Sequence, residues 1–355
     1  MKKHILYFSL LACMAFFGAC TTRVDLYADY KDIPVIYGLL DASQDTNFVR
    51  INRAFSSNND HPINANEVAL IADSCNYPGK LRAYIVEYKS VYGNNYDPTD
   101  TIELDTMTIH NKQEGVFYSP DQKVYWTNES LKVSASGSKY KYKLYVHKGN
   151  DTITAETDIV GGEDFKIIPT GLSFSAEPSD KTGKIKFKAA ENAVFYDMKF
   201  AFYYEESING GPFVEKQVSY SVGTKSKDDL SIEDGSFYMT YGENVLFRLL
   251  TDAIGGDTVT DPNHPNVVRH IRFVDPAQKY PMQIFLSAGG EELYNYIQVN
   301  MQSGFSQTVP DYTNVKGGYG VFSSRVNLVK QVTISSRTQS DLFGEPCKPW
   351  GFVTQ

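Results

Sequence analysis

The chain has 355 residues, 42% hydrophobic and 14% aromatic, with 34 basic against 42 acidic side chains. At roughly 100 to 200 residues per domain this length gives two domains, each large enough to bury its own core, and the composition excludes a disordered chain. Twenty-six glycines, 15 prolines, 25 tyrosines and 21 phenylalanines, without collagen period or heptads, indicate a globular protein of strands and turns, and a net charge of −8 excludes the basic footprint of a nucleic-acid binder.

Lys2 and Lys3 open the chain with a short positive segment, Ile5 to Phe17 are apolar but for Ser9, and Gly18-Ala19-Cys20 follow. This is the anatomy of a secretory signal over residues 1–19, too short for a membrane-spanning helix and ending in small residues. It resembles a bacterial lipoprotein signal, in which the cysteine after the small residues, here Cys20, is lipidated and becomes the mature N-terminus. Cys13, after Leu10-Leu11-Ala12, fits the usual aliphatic box better, but choosing it cuts the apolar core to about eight residues, the short end of the range. An ordinary cleaved signal with a chance cysteine is the plainer alternative. Cleavage before Cys20 removes two lysines and no acid, taking the net charge to −10, so the hold on the bilayer has to come from acyl chains. No later run is apolar enough to span a membrane. Cys75 and Cys347 remain, either joined in an oxidising compartment or idle, with no spacing that favours zinc.

Residues 20–32 read as a polar, lipidated tether, and a first β domain as residues 33–161. Its predicted strands are Ile33 to Leu40, Asn47 to Ala54, Leu81 to Tyr88, Thr101 to Ile109, Lys123 to Thr127, Tyr140 to His147 and Thr152 to Val160. Val49 and Ile51 alternate with Arg50 and Asn52, and Tyr140, Tyr142, Leu144 and Val146 with Lys141, Lys143 and Tyr145, the period of a half-buried strand. Asn94-Asn95, Asp97-Pro98, Ser119-Pro120 and Gly149-Asn150-Asp151 supply turns. Seven short strands in about 130 residues predict an antiparallel sandwich. Asn64 to Ser74 reads instead as a short inserted helix.

Gly161-Gly162-Glu163-Asp164 marks a boundary, and a second β domain spans 162–338. Its strands are Leu172 to Ala176, Lys184 to Lys188, Val194 to Glu205, Phe213 to Val222, Val267 to Val274, Met282 to Ser287, Gly320 to Lys330 and Val332 to Ser335. Tyr196, Met198, Phe200 and Phe202 share one side of the 194–205 strand, which is therefore expected to be central. Two inserted helices are predicted, Tyr241 to Ala253 and Glu291 to Met301, each with one apolar face and a glycine beyond its end. Residues 339–355 read as a loose tail. The fold class is mainly β: two antiparallel β-sandwiches, the second with inserted α-helices.

No hydrolase motif, metal-ligand spacing or phosphate loop is present, and no cofactor or catalytic residue is expected. His264 and His270, with Asp261 nearby, are not at a standard ligand spacing. Glu205-Glu206, Asp228-Asp229 and Glu291-Glu292 are adjacent in sequence, whereas glycosidases need two carboxyls about 5 to 10 Å apart across a sugar. Tyrosines cluster at Tyr27, Tyr30, Tyr88, Tyr92 and Tyr96 and at Tyr203, Tyr204, Tyr220, Tyr238 and Tyr241. Amphipathic rings suit sugar stacking or protein contact, and strand propensity alone also supplies them. Asp100-Thr101-Ile102, Asp105-Thr106-Met107, Asp151-Thr152-Ile153 and Asp257-Thr258-Val259 resemble the O-glycosylation triplet of exported Bacteroidota proteins.

The lipoprotein cysteine, the opening segments IPVIYGLL and NFVRINRAF, KVYWTN at Lys123 to Asn128 and YTNVKGGYGVFSSR at Tyr312 to Arg325 together resemble a family of Bacteroidota lipoproteins, domain of unknown function 4249. The resemblance spans most of the mature chain, and its most specific segment holds Asn314, Gly317, Gly318, Gly320 and Phe322. It implies two immunoglobulin- or fibronectin-like sandwiches held at the outer membrane by the N-terminal lipid, near nutrient-import or envelope-assembly machinery. The expected function is a non-catalytic accessory or scaffolding subunit of an outer-membrane protein complex. The alternative is a glycan- or peptide-binding surface lipoprotein of an uptake system.

Overall fold

The computed structural model describes residues 32–354 apart from 55–66, 68, 69, 92, 94, 111, 112, 115–117, 120, 136, 179, 256–258, 260–265, 274–279, 303–311 and 346. Alternation decides where its strands fall. Along residues 47–51, Val49 and Ile51 are buried while Phe48 and Arg50 stand exposed, as a period of two requires.

The first half runs β1 (Pro34–Asp41), β2 (Asn47–Arg53), a one-turn helix α1 (Ala72–Cys75), β3 (Arg82–Val91), β4 (Asp97–Glu103), β5 (Asp105–Ile109), β6 (Gln122–Thr127), β7 (Ser138–Lys148) and β8 (Asp151–Asp158). The second half begins with β9 (Lys166–Ile167), β10 (Gly171–Leu172), β11 (Thr182–Lys188), β12 (Phe195–Ile208), β13 (Val214–Ser226), β14 (Ser231–Glu233), β15 (Ser236–Gly242) and α2 (Val245–Ile254). It continues with β16 (Val267–Ile271), β17 (Met282–Gly289), α3 (Glu291–Gln302), β18 (Tyr319–Ile334), α4 (Ser336–Phe343) and a 3-10 turn at Lys348–Trp350. Strands hold 54% of the described residues and helices 13%, which makes the fold mainly β.

One large sheet follows the path β13-β12-β17-β18-β1-β2-β6-β5, with β16 beside β12 and β10 beside the end of β18. Two four-stranded sheets pack over it. The sheet β4-β3-β7-β8 encloses a core containing Ile36, Tyr125, Tyr142, Leu144 and Phe322. The sheet β14-β15-β11-β9 encloses another, containing Phe174, Phe187, Tyr196, Phe200 and Leu250. Two sandwiches therefore share one continuous sheet. β12 is central, paired along one edge with β13 and along the other with β17 and β16, and Tyr196, Met198, Phe200 and Phe202 are buried as their alternation requires.

β18 is the splice between the halves. Its first part, Tyr319 to Arg325, pairs in parallel with Val35 to Asp41, and the stretch from Arg325 to Val332 pairs antiparallel with β17. Phe322 lies in the first core, and Val326, Val332 and Ile334, on the same alternation, lie in the second. The two stretches predicted at 320–330 and 332–335 are this single strand. Ile159 and Val160 mark the passage from one core to the other within one peptide bond.

Several expectations are corrected. The run 101–109 is two strands in different sheets: Leu104 is buried, its N–H donates to the Ala83 carbonyl at 2.9 Å, and the chain turns there from β4 into β5 of the large sheet. The helix predicted from Tyr241 starts only at Val245, because Ser236–Gly242 pairs with β11. Of Leu172 to Ala176 only Leu172 is in a strand; Phe174 is buried and Thr338 Oγ1 holds both its N–H and its carbonyl. Of the helix predicted at Asn64 to Ser74, Ala72–Cys75 is helical, and 64–66, 68 and 69 lie outside the described residues. The tail 339–355 is not loose: Leu342, Cys347 and Phe352 are buried in the second core, where their apolar surface leaves water. Cys75 and Cys347 are not joined by a disulfide, and burial, then Asp341, pushes Cys347 up to about 12.

Candidate functional site

Side chains on the outward face of the large sheet are free of both cores. β1 sends Tyr37 and Leu39 there, β2 sends Phe48 and Arg50, and β18 sends Arg325 and Asn327. Helix α3, which follows β17 after Gly290, lies over this face. It starts with Glu291 and Glu292, acids favoured at a helix N-terminus. The Leu293 N–H donates to Ser323 Oγ at 3.1 Å, and the Tyr296 ring meets Tyr37 edge-on at 6.1 Å and 75°. Helix and strands bound a groove of about 730 Å³. That is the size of a ligand site.

The groove is set up by local bonds. Asp41 is buried at the end of β1 and accepts from the Ser43 N–H (3.0 Å), the Ser43 hydroxyl (2.5 Å) and Asn327 Nδ2 (2.7 Å). The Asp41 N–H in turn donates to Asn47 Oδ1 at 2.7 Å, which fixes the β1–β2 turn. Arg325 stands half-exposed with its Nε 3.7 Å from Asp41. Arg50 lies over the face of Tyr37 at 5.0 Å and is exposed, and among the described residues no carboxylate pairs with it. Burial, and then the neighbouring Tyr37 hydroxyl, raises the Tyr296 phenol, which stays neutral at ordinary pH. Phe48, 41% exposed, pairs across strands with Trp126 and extends the aromatic floor towards β6.

The motif residues of the late segment lie elsewhere and hold the splice together. Asn314 Nδ2 donates to the Glu156 carbonyl (3.1 Å) and to the Phe322 carbonyl (2.7 Å), while its Oδ1 accepts from the Phe322 N–H (2.9 Å). Gly317 has φ +84°, a conformation that costs a side chain strain. A Cβ on Gly318 would sit 2.6 Å from the Pro34 carbonyl oxygen, and one on Gly320 only 1.9 Å from that of Ile36. Phe322 is fully buried against Gly38. Cys20 lies outside the described residues.

The tyrosines do not converge on one platform. Tyr27, Tyr30 and Tyr92 lie outside the described residues; Tyr204 and Tyr241 are in the second core, and Tyr220 packs against it. On the outer face of the β4-β3-β7-β8 sheet, Tyr84 and Tyr145 stack on each other at 5.2 Å and 13°, with His147 and Arg82 also against Tyr84. Their faces are occupied by neighbours. The adjacent carboxylates separate too: Glu206 pairs with buried Arg269, Glu205 with His270, and Asp229 accepts from the Ser226 hydroxyl within a turn. Glu292 accepts from Thr157 and Ser323 hydroxyls (2.9 and 3.0 Å), and burial raises its carboxyl above the usual range. His264 and Asp261 lie outside the described residues, and among those described no three His, Cys, Asp or Glu side chains are placed to hold a metal ion. No described helix is long and apolar enough to cross a membrane.

No family model matches the chain, and no curated protein matches it. The groove itself was missed in the sequence because Tyr37, Phe48 and Arg50 read as ordinary outward strand positions. The signal that could have found it is their size: two adjacent strands whose solvent side carries aromatic and arginine side chains rather than short polar ones.

Proposed function

We propose that the protein is a lipid-anchored outer-membrane lipoprotein, tethered through Cys20, that acts without catalysis as an accessory or scaffolding subunit of an envelope complex, around a TonB-dependent transporter or an assembly machine. Membership of the domain of unknown function 4249 family is part of this reading. The observation that carries it is the outward face of the large sheet, where Phe48 and Met107 are 41% and 42% exposed near Tyr37 and Trp126, and Val329, further along β18 opposite Phe285, is 57% exposed on the same face. Scattered apolar exposure is ordinary, whereas several such side chains on one face mark a contact surface. The signal anatomy of residues 1–20 supports the anchor. Affinity purification of the full-length lipoprotein from native membranes should recover a stoichiometric membrane partner; repeated recovery of the protein alone counts against it. Cys20→Ala should release folded protein from the membrane and abolish fatty-acid labelling, and Cys13→Ala should leave both intact.

The groove beside α3 supports a second reading, a surface lipoprotein that binds a glycan or peptide. Its volume, its aromatic lining and its two arginines favour it.

A further inference from the structure

We infer that the groove between α3 and strands β18, β1 and β2 binds an acidic oligosaccharide, its carboxylates on Arg50 and Arg325 and its sugar rings against Phe48. This rests on the ligand-binding reading and names the ligand's class.

Charge comes first. The protein is acidic overall, yet the groove holds two arginines against one carboxylate, Asp41, whose oxygens already accept from Ser43 and Asn327. The local surplus is positive. Arg50 is also held in place: its guanidinium carbon lies 5.0 Å from the Tyr37 ring centroid, and among the described residues no hydrogen bond or ion pair takes its donors, which leaves them to grip a carboxylate through two parallel bonds. Tyr37 is in turn fixed by the edge of Tyr296.

Backbone geometry then separates sugar from peptide. Peptides that lie on sheets gain much of their hold by pairing with an open edge. The floor here is the face of β18, β1, β2 and β6, and each of these strands is already paired on both sides. Recognition falls to side chains, and those present are an exposed ring for a sugar face, amides such as Gln122 for hydroxyls, and guanidiniums for acid groups.

The test is calorimetric titration of the full-length lipoprotein in detergent with short oligogalacturonate, oligoalginate, hyaluronan fragments and oligosialic acid. The methyl ester of the oligogalacturonate and a poly-glutamate peptide are the comparators. At least one acidic saccharide should bind, with affinity falling as salt rises. Its affinity should drop at least tenfold on esterification and at least tenfold in Arg50→Gln or Arg325→Gln. Arg82→Gln, on the outer face of the other sheet, should leave it unchanged. Thermal melts of each variant check folding, and Arg50 and Arg325 are exposed enough for both to survive. Equal binding of ester and acid, or indifference to both groove variants, overturns the acidic assignment while leaving a ligand site. Arg50-dependent binding of poly-glutamate alone makes the ligand a peptide and overturns it as well. If no probe binds, the inference and the ligand-binding reading fall together, and the accessory-subunit reading stands or falls on its own purification.

Discussion

The two sandwiches solve the same packing problem with different stretches of chain. The second is nearly contiguous: its core runs from Val160 to Phe352 and is closed by α2, α4 and the C-terminal segment. The first is not. Its core takes Ile36 to Ile159 and then needs Val315 and Phe322 from the far end of the sequence. Their buried charges differ likewise. In the first half Glu87, 2% exposed, accepts from Tyr142 (3.0 Å), Thr99 (2.8 Å) and a half-exposed Lys132 (2.8 Å). In the second, Arg269 is fully buried, donating to Glu206 (2.8 Å) and to the Trp350 carbonyl (2.6 Å). The lesson is that one half is stabilised by closing a sheet and the other by pinning a tail.

The comparison is broken most severely at the splice. Gly320→Val places a side chain where backbone already sits, at φ +113°, and should cost more than about 4 kcal/mol. The expected result is loss of the folded first half, read by limited proteolysis and thermal melting. Next is the tail. Arg269→Ala leaves the nearly buried Glu206 with only the half-exposed Lys216, 3.4 Å away, and should cost about 3–5 kcal/mol, whereas replacing both Arg269 and Glu206 with methionine should recover most of that in denaturant titrations.

A smaller effect is expected at Glu292, which touches both halves through Thr157 and Ser323. Burial holds its folded carboxyl above the unfolded value, so its contribution is fully present below the unfolded pKa and is lost as pH rises through the folded one. Glu292→Gln should therefore melt higher than the natural protein at neutral pH, with the difference closing as pH falls to about 4. A melting series across pH that shows no convergence refutes this. The smallest effect belongs to Lys184→Ala, which removes an exposed pair with Glu233 and a contact over Tyr238; stability should move by no more than about 0.5 kcal/mol.

Much of the second sandwich was legible because local pattern and tertiary place agree. β12 is the clearest case: Tyr196, Met198, Phe200 and Phe202 alternate in sequence and are buried in the structure. The β14–β15 hairpin was overlooked although Asp234-Gly235, at φ 51° and 66°, is a strong short turn signal. The pairing of β1 with β18 left no local trace, since parallel partners need not be neighbours in sequence. Only the closely spaced Gly317, Gly318 and Gly320 hinted that another backbone comes near. The groove was hidden for the same reason: nothing in residues 37–50 announces a helix from residue 291 beside them.

The parallel splice also sets an order of events. A chain made from its N-terminus presents β1 with only β2 to pair, and β18 cannot arrive until almost everything else has; Asp41 and its partner Asn327 are 286 residues apart. Such long-range closure is slow. In the interval the β1 edge is an open row of amides and carbonyls, a template for another chain. The first half is therefore most prone to aggregate before the last long strand is delivered. The need for protection during synthesis lies there and not in the second half, whose core is built almost entirely from residues after Val160.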